Sequence, residues 1–139
     1  VIQKLTLSTD VLFDFNKAEL KDSGKQKLDE LASQVKGAKV DEIVVVGHAD
    51  RIGSETYNEK LSEARAQSVK DYLAGRGAQT NVITAQGKGE AAPVTGDQCK
   101  KMAGKKLIEC LQPDRRVEIE FLGSREVAGT EAPATGGTR

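Results

Sequence analysis

The chain has 139 residues, enough for one domain rather than two, and its 37% hydrophobic and 30% charged residues allow a modest core under a very polar surface. Lys plus Arg balances Asp plus Glu at 21 each, and there are three Phe, two Tyr and no Trp. That leaves neither the basic footprint nor the aromatic platforms of a nucleic-acid binder, so no nucleic-acid partner is expected. No apolar run approaches the roughly 18 residues of a spanning helix, so this segment is not expected to insert into a membrane that way. Neither an initiator Met nor a secretory signal opens the chain, which reads as a mature or excised piece of a longer precursor.

Residues 5–15, LTLSTDVLFDF, alternate well enough for one or two short strands, and NKAEL follows as a turn. DSGKQKLDELASQVKG predicts a helix with Leu28, Leu31 and Val35 on one face and Gly37 as its stop. In DEIVVVGHAD the apolar run Ile43 to Val46 reads as a strand buried on both faces. RIGS is a turn, and Ser54 caps a second helix that runs to about Ala74, where GRG breaks it. TNVITAQGKGE predicts a third strand and a glycine turn, and QCKKMAGKKLIEC a short helical insertion. DRRVEIEF alternates strictly, with Val117, Ile119 and Phe121 on the inner face of a final strand. The Gly, Thr, Ala and Pro of the last stretch cannot bury enough surface to order it. A domain over residues 1–122 and a disordered tail over 123–139 follow. The order β-α-β-α-β-(insert)-β predicts an α/β fold of the α+β sandwich type, with two main helices packed on a mixed four-stranded sheet.

Cys99 and Cys110 are the only cysteines and bracket the insertion. Their spacing is unlike a CxxC pair, and one His with two Cys supplies too few ligands for a metal, so no metal or cofactor is expected. A disulfide closing this short loop, contributing roughly 3 kcal/mol, fits better than two free thiols and implies an oxidising compartment.

In the second helix the i,i+4 row Tyr57, Leu61, Arg65, Val69, Leu73 places a guanidinium on an otherwise apolar stripe. A buried arginine must be paired or face a ligand. Asp50 closes the preceding strand, and strand end and helix face are neighbours in a βα unit. Two readings stay open: a self-satisfied Asp50–Arg65 ion pair, or a receptor for a zwitterion in which Arg65 takes a carboxylate and Asp50 an ammonium. Backbone groups of the FDFN turn and of the helix's first turn would complete such a pocket.

Other candidates read more blandly. His48 is the lone histidine, and strand alternation gives it a packing or turn role rather than catalysis. Asp14 and Asp50 as a hydrolytic carboxylate pair lack an activating environment, since Arg65 would hold Asp50 ionised. Ser62 has no evident base. Arg115 and Arg116 open the last strand on opposite faces, one bracing the core edge or pocket and the other solvated. Lys100, Lys101, Lys105 and Lys106 read as a solvated face, with contact to an anionic polymer as a weaker reading.

The segments VLFDFNKAEL, VVVGHADRIGS, YNEKLSEARAQSVKDYL and PDRRVEIE resemble the OmpA-like domain, over roughly residues 5–122. The helix pattern N-x-x-L-S-x-x-R-A-x-x-V-x-x-x-L is met by Asn58, Leu61, Ser62, Arg65, Ala66, Val69 and Leu73. The run APVTGDQCKKMAGKKLIECLQPDRRVEIE extends the resemblance through both cysteines. It implies a periplasmic, non-enzymatic module that binds peptidoglycan through the meso-diaminopimelate of the stem peptide, as the soluble part of a Gram-negative outer-membrane protein. The implied ligand pair is Asp50 and Arg65, supported by Asp14, Phe15, Asn58 and Leu61. An N-terminal outer-membrane barrel ahead of this segment is also implied, with a lipid anchor as the alternative. One departure stands out, GHAD where the family commonly has GHTD, so that Ala49 lacks a hydroxyl for local turn bonds.

Overall fold

The computed structural model describes residues 2–35, 40–76 and 82–123. In chain order these form β1 (Ile2–Ser8), α1 (Thr9–Leu12), α2 (Asp22–Val35), β2 (Val40–His48), α3 (Glu55–Gly75), β3 (Ile83–Gly87), α4 (Gly104–Cys110), a 3-10 turn (Gln112–Asp114) and β4 (Arg116–Gly123). The strands make one sheet in the order β1-β4-β2-β3. β2 and β3 run parallel, from Ile43 opposite Ile83 to Gly47 opposite Gly87, and α3 is the crossover that parallel neighbours require. β4 lies antiparallel between β1 and β2. The mixed four-stranded sheet and its two main helices are as the sequence order predicts. No helix among the described residues is long and apolar enough to cross a membrane.

The helices α2 and α3 pack on one face of the sheet. Leu28, Leu31, Ala66, Val69 and Leu73 meet Ile43 and Val45 of β2, Ile83 of β3, and Val117, Ile119 and Phe121 of β4. Each such large side chain, removed from water, contributes roughly 1.5–3 kcal/mol. Helix α3 starts where its cap chemistry dictates, with the Ser54 hydroxyl accepting from the Tyr57 N–H. Its buried face is apolar only in its second half; Asn58, Ser62 and Arg65 occupy the first.

Four expectations need correction or lie out of reach. Pairing in the first segment stops at Ser8; Thr9–Leu12 turns into helix because the Ser8 hydroxyl caps it, and Phe13 makes only an isolated bridge to Leu20. β2 is fully buried only on its helix side, with Ile43 and Val45; on the other face Val46 and His48 are buried but Val44 is half-buried. β4 continues through Gly123, one residue past the expected domain boundary. Val1, the Gly37 stop, the Val35 side chain and residues 124–139 lie outside what is described.

Two glycines set how closely α3 sits on the sheet. A Cβ at Gly47 would fall on the Ser62 carbonyl oxygen, and one at Gly87 on the Glu63 amide nitrogen. Both neighbours are backbone of a packed helix and cannot step aside. Gly87→Ala should therefore lower stability by about 1–3 kcal/mol in urea denaturation. Gly75→Ala, in the last turn of α3 with open space around its Cβ, should be neutral or stabilising by up to about 1 kcal/mol. Equal effects of the two changes would contradict this account of the seat.

Candidate binding site

Arg65 is buried, with 8% of its surface exposed, yet no carboxylate among the described residues forms an ion pair with it. Its Nε donates to the Lys17 carbonyl at 2.8 Å and its Nη2 to the Asp14 carbonyl at 3.1 Å, and the guanidinium lies 5.3 Å from the centre of the buried Phe13 ring. These contacts staple the 14–17 turn to α3, and Ser68 does the same one helical turn on, donating to the Ala18 carbonyl at 2.6 Å. Both hydrogens of Nη1 and one of Nη2 remain uncommitted. Burial lowers the Arg65 pKa, with Tyr57, Asp10 and Asp50 acting against that shift and Arg115 adding to it. A guanidinium stays charged under such a shift, so a desolvated cation remains that only backbone carbonyls and a ring face answer.

The self-satisfied Asp50–Arg65 pair is therefore not formed. Asp50 is instead taken by Arg115, whose Nη1 donates to Oδ2 at 2.8 Å, while the Ile52 N–H donates to Oδ1 at 3.0 Å and closes the turn. The same Arg115 grips Asp10 of α1 with Nε and Nη2, both at 3.1 Å, and its Nη1 also donates to the Ile108 carbonyl of α4 at 3.0 Å. Burial works against the Arg115 charge, but the hydrogen bonds to Asp10 and Asp50 override it and raise its pKa. One guanidinium between two carboxylates leaves the cluster a single negative charge, beside the single positive charge of Arg65.

The remaining site residues fall around this centre in different ways. Asn58 is buried, and its amide nitrogen lies 3.1 Å from the Asp50 carbonyl and 2.9 Å from that of Ile52, so it braces the loop carrying Asp50. Asp14 faces Arg65 with its backbone carbonyl, while its carboxylate points to solvent 3.7 Å from Lys21. Phe15 stands 87% exposed. Leu61 is half-buried one turn before Arg65. Ala49 is buried, and its N–H donates to the Gly89 carbonyl at 2.8 Å.

Asp114 was not singled out by sequence pattern, though it holds the insertion in place. It is fully buried, and accepts from the Val94 and Thr95 amides at 2.8 and 3.0 Å and from the Thr95 hydroxyl at 2.8 Å. Burial alone would raise its pKa; the Thr95 hydroxyl, the two amides and Arg51 reverse that and lower it. Its signal in the sequence is only its place between Pro113 and two arginines. The insertion is closed as expected by a Cys99–Cys110 disulfide, and its four lysines are exposed.

Arg116 corrects the expectation of a solvated arginine. It is buried on the sheet face away from the helices, where it donates to Glu118 at 2.8 Å and to the Ala92 carbonyl at 3.0 Å. His48 sits opposite Arg116 on the same face, buried, its Nε2 3.3 Å from Glu118 but out of line for a hydrogen bond. Burial, then the Arg116 charge, lower the His48 pKa and keep the ring neutral at neutral pH. Ser62 is buried too; it accepts from the Gly89 N–H and donates to the Glu59 carbonyl. Ser62 and Asp50 are thus committed to separate contacts, and neither hydrogen-bonds to the ring of His48.

The chain belongs to the OmpA family, matched over residues 12–106. It is 54% identical over 125 residues to outer membrane protein A of Klebsiella pneumoniae, covering 88% of this chain and 36% of that protein. Against outer membrane protein A of Shimwellia blattae it is 53% identical over 121 residues, covering 85% and 50%. The chain thus spans half or less of the length of these relatives. Its fold is similar to the solved structure of the cell wall anchor of the T6SS from Pseudomonas aeruginosa, with a TM-score of 0.73, 30% identity, and 88% and 82% of the two chains covered.

The buried charges of the outer sheet face make stability fall in acid. Burial would raise the Glu118 carboxyl, but Arg116, His48 and Lys4 override it and hold it at about 2, against an ordinary value of 4.5. A depressed carboxyl stabilises the fold fully above its unfolded value and loses that contribution as pH falls toward its folded one. Up to about 3 kcal/mol should therefore disappear between those two values. His48 has the same sign, its contribution fading as pH drops below 6.5. Denaturation midpoints measured from pH 7 to 2 should fall steeply for the native sequence and clearly less steeply below 4.5 for Glu118→Gln.

Proposed function

We propose that this domain binds peptidoglycan non-covalently through the meso-diaminopimelate of its stem peptide, and so anchors an outer-membrane protein to the cell wall from the periplasm. The observation that carries the reading is Arg65, a buried guanidinium with no carboxylate partner among the described residues and three N–H hydrogens uncommitted there. The free end of a diaminopimelate side chain is an amino-acid head group. Its carboxylate matches the fork of Arg65, and its ammonium matches the one excess negative charge of the Asp50 cluster. In this reading Asp14 contributes through its carbonyl, Phe15 offers an exposed ring along the stem peptide, Asn58 fixes the Asp50 loop, and Leu61 supplies apolar wall.

Family membership supports the assignment, as does the likeness to a structure described as a cell wall anchor. The disulfide fits a periplasmic location. The outer membrane relatives are longer than this chain, which in this reading leaves room for a barrel N-terminal to the segment, with the binding domain ending with β4 at Gly123. A hydrolase built on Asp50, His48 and Ser62 is disfavoured because the serine is engaged by Gly89 and Glu59 and the histidine lies opposite Arg116, on the face away from the helices.

Asp50→Ala and Arg65→Ala should each reduce co-sedimentation with diaminopimelate-type peptidoglycan at least ~10-fold, because each leaves a charge of the complex unanswered. Far-UV circular dichroism should show both variants folded. Retention of both variants at the native level would refute the assignment, and muropeptides recovered cleaved rather than intact would favour the enzyme.

A further inference from the structure

The Asp50 carboxylate is not free to be a simple ammonium receptor. Arg115 already neutralises one negative charge at Oδ2, and an isolated Asp50–Arg115 pair would carry no net charge to attract a cation. The charge that remains exists because Arg115 serves a second acid. It grips Asp10 with two nitrogens and Asp50 with one, so two carboxylates share a single guanidinium. The Ile108 carbonyl takes a further hydrogen of Arg115 Nη1, which holds the guanidinium in the plane that reaches both acids. Asp10 comes from α1 and Asp50 from the end of β2, and both lie close enough to Arg65 to act on its charge. Asp10 is half-exposed, and its own backbone N–H is engaged by Ser8, so its side chain is placed by the α1 turn rather than by burial.

We propose that Asp10 is a further specificity-determining residue of this site: with Arg115 between them, Asp10 and Asp50 form one receptor, and the extra carboxylate supplies the net negative charge that recognises the ammonium of the zwitterionic ligand. This rests on the diaminopimelate reading above. Removing the Asp10 charge leaves Asp50 fully compensated by Arg115, so affinity for the ammonium falls while the carboxylate end, held by Arg65, is untouched. Because Asp10 is partly exposed and its field is screened by salt, the loss is smaller than that for Asp50 and grows as ionic strength is lowered.

Three synthetic stem tripeptides separate the two ends of the ligand. They end in meso-diaminopimelate, in 2-aminopimelate, which keeps the side-chain carboxylate but lacks its ammonium, and in lysine, which keeps the ammonium but lacks the carboxylate. Titrated by calorimetry, the native domain should prefer the diaminopimelate peptide to both others. Asp10→Asn should bind that peptide about 3- to 10-fold more weakly and the 2-aminopimelate peptide unchanged, with Asp10→Glu restoring most of the difference. Arg65→Ala should instead reduce diaminopimelate binding to the level of the lysine peptide. If Arg65→Ala behaves so but Asp10→Asn matches the native domain, or weakens both carboxylate-bearing peptides equally, Asp10 is not a specificity residue and the inference fails alone. If the native domain does not distinguish diaminopimelate from the other two, the function proposed above fails and this inference with it.

Discussion

Helix α3 lies so close to β2 and β3 that no side chain fits at Gly47 or Gly87, and that closeness decides the depth at which Arg65 sits. With a larger residue at either position the helix would ride up on the sheet, and Val69 and Leu73 would lose contact with Ile43 and Ile83. The Ser62 hydroxyl is trapped in the same contact and fixes the β3 turn by accepting from Gly89, whose carbonyl in turn accepts from Ala49. A chain of short contacts therefore runs from the helix backbone to the residue beside Asp50.

The charges are then kept from collapsing onto one another. Opposite charges this near would normally form the shortest ion pair available. Here Arg65 is held by two carbonyls of the 14–17 turn and by the Phe13 ring, and Asp50 is held by Arg115 and the Ile52 amide. Each partner is tethered separately, so a cation and an anionic cluster persist side by side with donor and acceptor capacity left over. Under the proposed function, most of the ordering cost of the site is thereby met in the unbound fold.

The sequence made one half of this site legible and hid the other for a definable reason. Arg65 stood out because a helical face is periodic, and a guanidinium among Leu61, Val69 and Leu73 breaks the period. The family pattern rests on the same periodicity. Arg115 and Asp10 lie in a 3-10 turn cap and a four-residue helix, 105 residues apart, where no period exists to interrupt. Alternation even misdirects at that point. The expectation that one of Arg115 and Arg116 braces the pocket holds for Arg115, but pairing of β4 begins only at Arg116, and the solvated arginine expected beside it is instead buried against Glu118. Likewise Ile43 to Val46 looks doubly buried from composition, whereas the outer face is covered only near His48, by ion pairs among Arg116, Glu118 and Lys4.

The three consecutive charges Asp114, Arg115 and Arg116 show what the 3-10 turn achieves. Asp114 turns inward to hold Val94 and Thr95 and so fixes the start of the insertion. Arg115 turns to the binding cluster, and Arg116 to the outer sheet face. An uninterrupted strand would have put Asp114 and Arg116 on one face and left a single residue for the other. The insertion itself has little core of its own, since no residue of α4 is buried; the Cys99–Cys110 bond, the buried Leu111 and the Asp114 bonds to Val94 and Thr95 tie it down. It meets the cluster through the Ile108 carbonyl, two residues before Cys110, which accepts from Arg115. The covalent closure therefore lies two residues from a carbonyl that accepts from the guanidinium shared by Asp10 and Asp50.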